Sequence, residues 1–172
     1  MAGDKFLTRD NSTGKVTEVR GTDASTGVGE AGDIVALGTD GKIDLSLLPT
    51  SIGPDVGIIE TTEALSAGDY VNIYDDAGVE RVRLADSTNG RDANGYVKDA
   101  FTTGAQAMVY FEGGNDALTG LTPGARYYLT AAGEASTTVP TAPTDDIHQY
   151  LGKAVNATTI NTDIQDCIRL IA

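Results

Sequence analysis

The sequence predicts an all-β chain, a small β-sandwich or barrel with an extended N-terminal arm. Three observations carry that expectation. The 172 residues include 21 Gly and 5 Pro together with many Thr, Ser, Asn and Asp, a turn-rich composition that favours short strands over long helices. From Ile58 onward, strand-like stretches recur at short intervals between Gly-centred turns, the pattern of a sandwich or barrel. Three stretches also share one grammar. Gly32-Asp33-Ile34-Val35-Ala36-Leu37 runs to Gly41, Gly68-Asp69-Tyr70-Val71-Asn72-Ile73 to Gly78, and Gly124-Ala125-Arg126-Tyr127-Tyr128-Leu129 to Gly133. In each, two large apolar or aromatic residues stand two positions apart (Val35/Leu37, Val71/Ile73, Tyr127/Leu129), and so share one face of a strand.

Taken in order, residues 1–30 contain few large apolar side chains and two turn-forming runs, Asn11 to Gly14 and Thr22 to Gly27. Such a stretch cannot offset its own ordering entropy by itself, so it is expected to be either disordered or an arm that orders against a partner, with the arm the favoured reading. Within it, Phe6-Leu7 and Val16-Thr17-Glu18-Val19 suit short strands. The first Gly-bounded copy follows. Asp44 is placed to cap a single helical turn that Pro49 ends. Residues 50–57 read as a linker. The expected division is residues 1–56 as arm and linker with one short hairpin, and residues 57–172 as the β-domain. Strands are predicted over 58–61, 69–74, 79–84, 95–98, 105–112, 126–130, 149–156 and 166–171. The last of these also fits a helical stripe through Ile160, Ile164, Ile168 and Ile171.

Charge excludes one class of partner. The formal net charge is −13, of which residues 1–20 contribute +1 and the rest −14. A surface of that sign repels a phosphate backbone, so no nucleic-acid partner is expected. No signal peptide is read at the N-terminus, and no apolar stretch is long enough to span a membrane. Cys167 stands alone in the apolar run Cys167 to Ile171, where a small buried hydrophobe is expected. His148 lacks a second His or Cys at ligand spacing and is read as a solvated or hydrogen-bonded loop residue. No nucleophile elbow, phosphate-binding loop or dinucleotide fingerprint occurs. The Asp40–Asp44 and Asp92–Gly95 stretches do not follow a calcium-loop pattern and read as turns. Asp75-Asp76 and Asp145-Asp146 are sequence neighbours that a strand would point to opposite faces. No enzyme, cofactor or metal site is therefore expected. Tyr110-Phe111 and Tyr127-Tyr128 each place one ring inward and one outward.

Two phrases resemble structural proteins of tailed-bacteriophage virions. Asp40-Gly41-Lys42-Ile43-Asp44-Leu45-Ser46-Leu47-Leu48-Pro49 is similar to a phrase that leads into tail-fibre or head-decoration domains. Gly120-Leu121-Thr122-Pro123-Gly124-Ala125-Arg126-Tyr127-Tyr128-Leu129, with Tyr150-Leu151-Gly152-Lys153-Ala154-Val155, resembles a β-module of the same proteins. Ala67-Gly68-Asp69-Tyr70-Val71 looks like the opening of small capsid cement proteins. The resemblance implies a head decoration protein, made in the host cytoplasm and placed on the capsid surface of the virion. Its partner would be the major capsid protein, its state a homotrimer, and its role stabilisation of the assembled shell. A tail-fibre or tail-tip protein that contacts the host is the alternative. The short chain, without shaft repeats or heptads, favours the head. Partner contacts are expected at Phe6, Leu7, Val16, Val19, Ile43, Leu45, Leu47 and Leu48, with the first Gly-bounded copy beside them.

Overall fold

A computed structural model describes residues 5–24, 33–39, 41–44, 47–48 and 55–171. The chain divides into two units, Met1–Gly53 and Pro54–Ala172. Both are built from strands, and the fold class is all-β as the turn-rich, alternating sequence predicts.

In the first unit, β1 (Lys5–Arg9) and β2 (Val16–Arg20) form an antiparallel ribbon, with Phe6 opposite Val19 and Leu7 opposite Glu18. The Asp10 side chain shapes the connecting turn by accepting hydrogen bonds from the Ser12 amide at 2.8 Å, the Ser12 hydroxyl at 2.6 Å and the Thr13 hydroxyl at 2.7 Å. The first Gly-bounded copy does not form the strand its grammar suggests. Among its described residues only Val35 pairs, through one parallel bridge to Thr22, with Thr22 N donating to Ile34 O and Ala36 N to Thr22 O, both at 2.9 Å. Gly21 permits that approach, because a Cβ there would stand 2.8 Å from the Ala36 Cβ. Around the Asp40–Pro49 phrase, Leu47 N donates to Asp44 O at 3.1 Å in a 3₁₀ turn, while Asp40, Leu45, Ser46 and Pro49 lie outside the described residues.

The second unit opens with β3 (Val56–Glu60), β4 (Tyr70–Asp76), β5 (Val79–Leu84), β6 (Gly95–Val97) and β7 (Gln106–Tyr110). They pair antiparallel in the order β3-β7-β6-β4-β5. Alternation separates the faces of this sheet. Val71, Val82, Val97, Ala107 and Val109 point to one side and bury together with Ile59 and Leu65. Removing each of the Val, Ile and Leu side chains from water is worth about 1.5–3 kcal/mol at full burial. The sheet rolls far enough for its edges to meet. Thr61 bridges Val82 in parallel, Thr62 N donates to Val82 O at 2.9 Å, and Arg81 pairs with Glu60. One bridge is not a closing ladder, so the sheet is a rolled, open structure. Residues 56 and 57, expected in the linker, belong to β3, because Val56 pairs with Tyr110 and Gly57 with Val109.

The opposite face carries Tyr70, Tyr96 and Tyr110 in register across β4, β6 and β7. Tyr96 stacks on Tyr110 at 5.5 Å between ring centres and tilts against Tyr70 at 6.1 Å. This face packs on a second sheet, formed from β8 (Gly113–Asn115), β9 (Arg126–Leu129), β10 (Ala135–Ser136), β12 (Tyr150–Ala154) and β13 (Ile160–Thr162) in the order β10-β9-β12-β13-β8. Leu129, Leu151 and Ile147 join Tyr70 and Tyr96 in the shared core. The remaining pair, β11 (Ile147–His148) and β14 (Ile168–Arg169), is a short antiparallel ladder beside it.

Gln149 ties the layers together. Buried to 2 % exposure, it accepts from Ala93 N at 2.7 Å and donates to Ala93 O and Gln165 O, both at 2.9 Å. The C-terminal stretch departs from expectation. It is neither a continuous strand nor a helix; only Ile168–Arg169 pairs, and Ile168 and Ile171 face solvent. Cys167 is likewise exposed rather than buried, because the run around it packs on nothing continuous.

Candidate functional site

Two surfaces stand out, one on each unit. On the first, the ribbon register sorts the expected contact residues onto two faces. Phe6 and Val19 share one, while Leu7 and Val16 share the other with Lys5, Arg9, Glu18 and Arg20. Leu7 is 73 % exposed and Val16 62 %, although both are strand residues that ordinarily seek a core. Lys5 and Glu18 pair across the ribbon at 2.7 Å. Hydrogen bonds from Ser12 and Thr13 hold the Asp10 carboxyl well below the ordinary carboxylate range, so the turn stays charged and intact at neutral pH.

Of the other expected residues, Ile43 is exposed, Leu47 and Leu48 are half-buried, and Leu45 lies outside the described residues. The first Gly-bounded copy adds Ile34, Val35 and Leu37, all more than half exposed. The first unit therefore presents apolar side chains that its own described residues do not cover.

On the second unit, three segments alternate in step. Arg126 and Tyr128 are more exposed than the buried Tyr127 and Leu129, His148 and Tyr150 more than the buried Gln149 and Leu151, and the exposed Asp163 and Gln165 flank a half-buried Ile164. The outward members, Arg126, Tyr128, His148, Tyr150, Asp163 and Gln165, line one groove of about 390 Å³. Tyr128 and Tyr150 are directly paired across β9 and β12, and a bulge at Tyr150–Gly152 breaks the register just beyond them. The Tyr128 ring lies 5.1 Å from that of His148 and 5.9 Å, edge to face, from that of Tyr150. His148 is thus a strand residue packed on a tyrosine, not the loop residue expected, because Ile147 and His148 pair with Arg169 and Ile168. The inward–outward reading of Tyr127-Tyr128 holds: Tyr127 is buried and Tyr128 faces the groove.

The groove was not predicted as a site. Its signal was the outward member of each alternating pair, legible over 126–130 and from 149 onward; His148 reads as a loop residue, 163–165 fall in no predicted strand, and nothing in the sequence placed the three segments side by side.

Among the described residues no group of three or more His, Cys, Asp or Glu is positioned to hold a metal ion. Partial desolvation raises the Cys167 thiol pKa, the opposite of an activated nucleophile. Among the described residues no helix is long and apolar enough to cross a membrane. In comparisons with known proteins, no family model, curated protein or solved structure matches the chain.

Proposed function

We propose that this chain is a non-enzymatic head decoration protein of a tailed bacteriophage. It binds the outer surface of the assembled capsid through its first unit and stabilises the shell. The observation that carries this reading is the exposure of Leu7, Val16, Ile34, Val35 and Leu37 on a ribbon and adjoining segment with little core of their own. Exposed apolar strand residues suit apolar docking onto another chain. The resemblance of Asp40–Pro49 and of Gly120–Leu129 to virion proteins supports the same reading and supplies the partner, the major capsid protein. It also supplies a trimeric state, by analogy.

Stabilisation then follows from mass action. A ligand that binds only the assembled shell, present at 100 times its Kd, adds about 2.7 kcal/mol per site. Carboxylates distributed over the second unit keep it soluble and mutually repulsive.

The test pairs the wild-type chain with the Leu7→Asp/Val16→Asp variant and measures co-sedimentation with expanded shells of the same phage. Wild-type protein should pellet with shells and raise their dissociation temperature. The variant should stay soluble, keep its β spectrum and remain in the supernatant. Equal pelleting of both would remove the ribbon from the interface. Tail-fibre or tail-tip placement is the second reading, and the aromatic groove of the second unit is the observation that favours it.

A further inference from the structure

We propose that the groove between β9, β12 and the 163–165 segment is a saccharide-binding site for an uncharged or N-acetylated hexopyranose. The inference does not rest on capsid binding.

Cross-strand packing accounts for the adjacency of Tyr128, Tyr150 and His148. It does not account for what surrounds them. Arg126 and Asp163 line the same groove, carry opposite charges, and yet form no ion pair or side-chain hydrogen bond with any described residue. Opposite charges left apart across a polar groove retain full hydrogen-bonding capacity toward a third group placed between them.

The backbone holds these groups without using their side chains. Asp163 N donates to Leu151 O at 2.8 Å, and Gln165 N donates to Tyr150 O at 3.2 Å. Gln165 O in turn accepts from the buried Gln149 amide at 2.9 Å. The 163–165 segment is therefore fixed against β12 while the Asp163 and Gln165 side chains hydrogen-bond to no described residue. Such preorganisation lowers the ordering cost of binding.

The ligand class follows from that set of groups. The half-buried Tyr128 and Tyr150 rings in the groove lining offer aromatic surface to the C–H face of a pyranose, which is apolar and weakly positive. Around them stand a fork of donors (Arg126), a two-oxygen acceptor (Asp163), an amide that does both (Gln165) and two phenol hydroxyls. That mixture fits a ring bearing several hydroxyls, each of which donates and accepts. A phosphate or carboxylate ligand is disfavoured by Asp163 and by the strongly acidic chain. A proline-rich peptide would need an apolar trough, whereas this groove is mainly polar. Its volume of 390 Å³ falls near the lower end of small-ligand sites and suits a mono- or disaccharide.

The experiment titrates the full chain with maltose, lactose, mannobiose and N,N′-diacetylchitobiose, and separately with inorganic phosphate and a proline-rich decapeptide. Aromatic NMR signals of Tyr128, His148 and Tyr150 are followed. At least one disaccharide should shift these signals saturably with a millimolar Kd. Tyr150→Ala and Asp163→Asn should each weaken it about tenfold, the effect of losing about 1.4 kcal/mol. Asp163 is exposed, so its variant keeps the fold even if Tyr150→Ala does not. The proposal is overturned if none of the four sugars shifts these rings, if the shifts survive Asp163→Asn unchanged, or if only phosphate or the peptide binds. Shell co-sedimentation reads the other unit, so either proposal can fail alone.

Discussion

Replacing Gln149 by Leu should expose how much of the second unit depends on a single buried amide. The side chain makes three hydrogen bonds, one from Ala93 N and two to the carbonyls of Ala93 and Gln165. Ala93 is 1 % exposed, so its N–H and C=O lose their partner with no water to replace it. The bond to Gln165 O is only part-buried, so its loss is left out of the sum. Two orphaned buried groups at about 1–3 kcal/mol each give a loss of about 2–6 kcal/mol. Leu fills a similar volume and adds apolar burial, which pulls the net cost to about 3 kcal/mol. That is a large share of the roughly 5–15 kcal/mol available to a domain. Urea unfolding followed by circular dichroism measures it, and the midpoint should fall without a change in slope. A loss below about 1 kcal/mol would show that the layers are not tied together through Gln149.

Three further outcomes are expected. Gly133 has φ +77° and a Cβ there would meet Tyr70 O at 2.9 Å, so Gly133→Ala should cost about 2–4 kcal/mol in the same unfolding assay. Ala77 has φ 53° and Gly78 φ 87° in the two-residue loop between β4 and β5; Ala77→Asn, better suited to that conformation, should stabilise by about 0.5–1 kcal/mol, measured as a higher thermal midpoint. Burial pushes the Tyr70 and Tyr96 phenols up from 10.0 to about 12. A folded-state value above the unfolded one contributes stability that is complete below pH 10 and lost as pH rises toward 12, so phenolate absorbance and unfolding should advance together over that window. Complete ionisation near pH 10 in a still-folded chain would contradict the burial of these rings.

Legibility tracked locality. Where one strand alternates cleanly and ends at its own turn, as in Tyr70–Asp76 followed by Val79–Leu84, the sequence reading and the structure differ by a residue or two. Where a strand exists only because a distant segment supplies its partner, the reading failed. Gly113–Asn115 carries turn-forming residues and pairs only because Ile160–Thr162 lies beside it. The first Gly-bounded copy shows the converse: it carries the same grammar as the other two, but among the described residues it finds one bridging partner, Thr22.

The candidate surfaces divide the same way. Phe6, Leu7, Val16 and Val19 were legible because an apolar residue in a polar stretch is conspicuous without knowing its neighbours. The groove draws on positions 126–128, 148–150 and 163–165, and their convergence depends on the β9–β12 register and on a bulge no local signal marks. Cys167 misled for a related reason. An apolar run predicts burial only if another element covers it, and here Ile168 and Ile171 stay exposed.

The most direct test of the capsid assignment is the position of the protein on the virion, read by cryo-electron microscopy with antibody–gold labelling of the second unit. The account predicts label over the outer surface of the head, and density in which the first unit lies against the shell. Label confined to the tail or its tip, with bare heads, would contradict it.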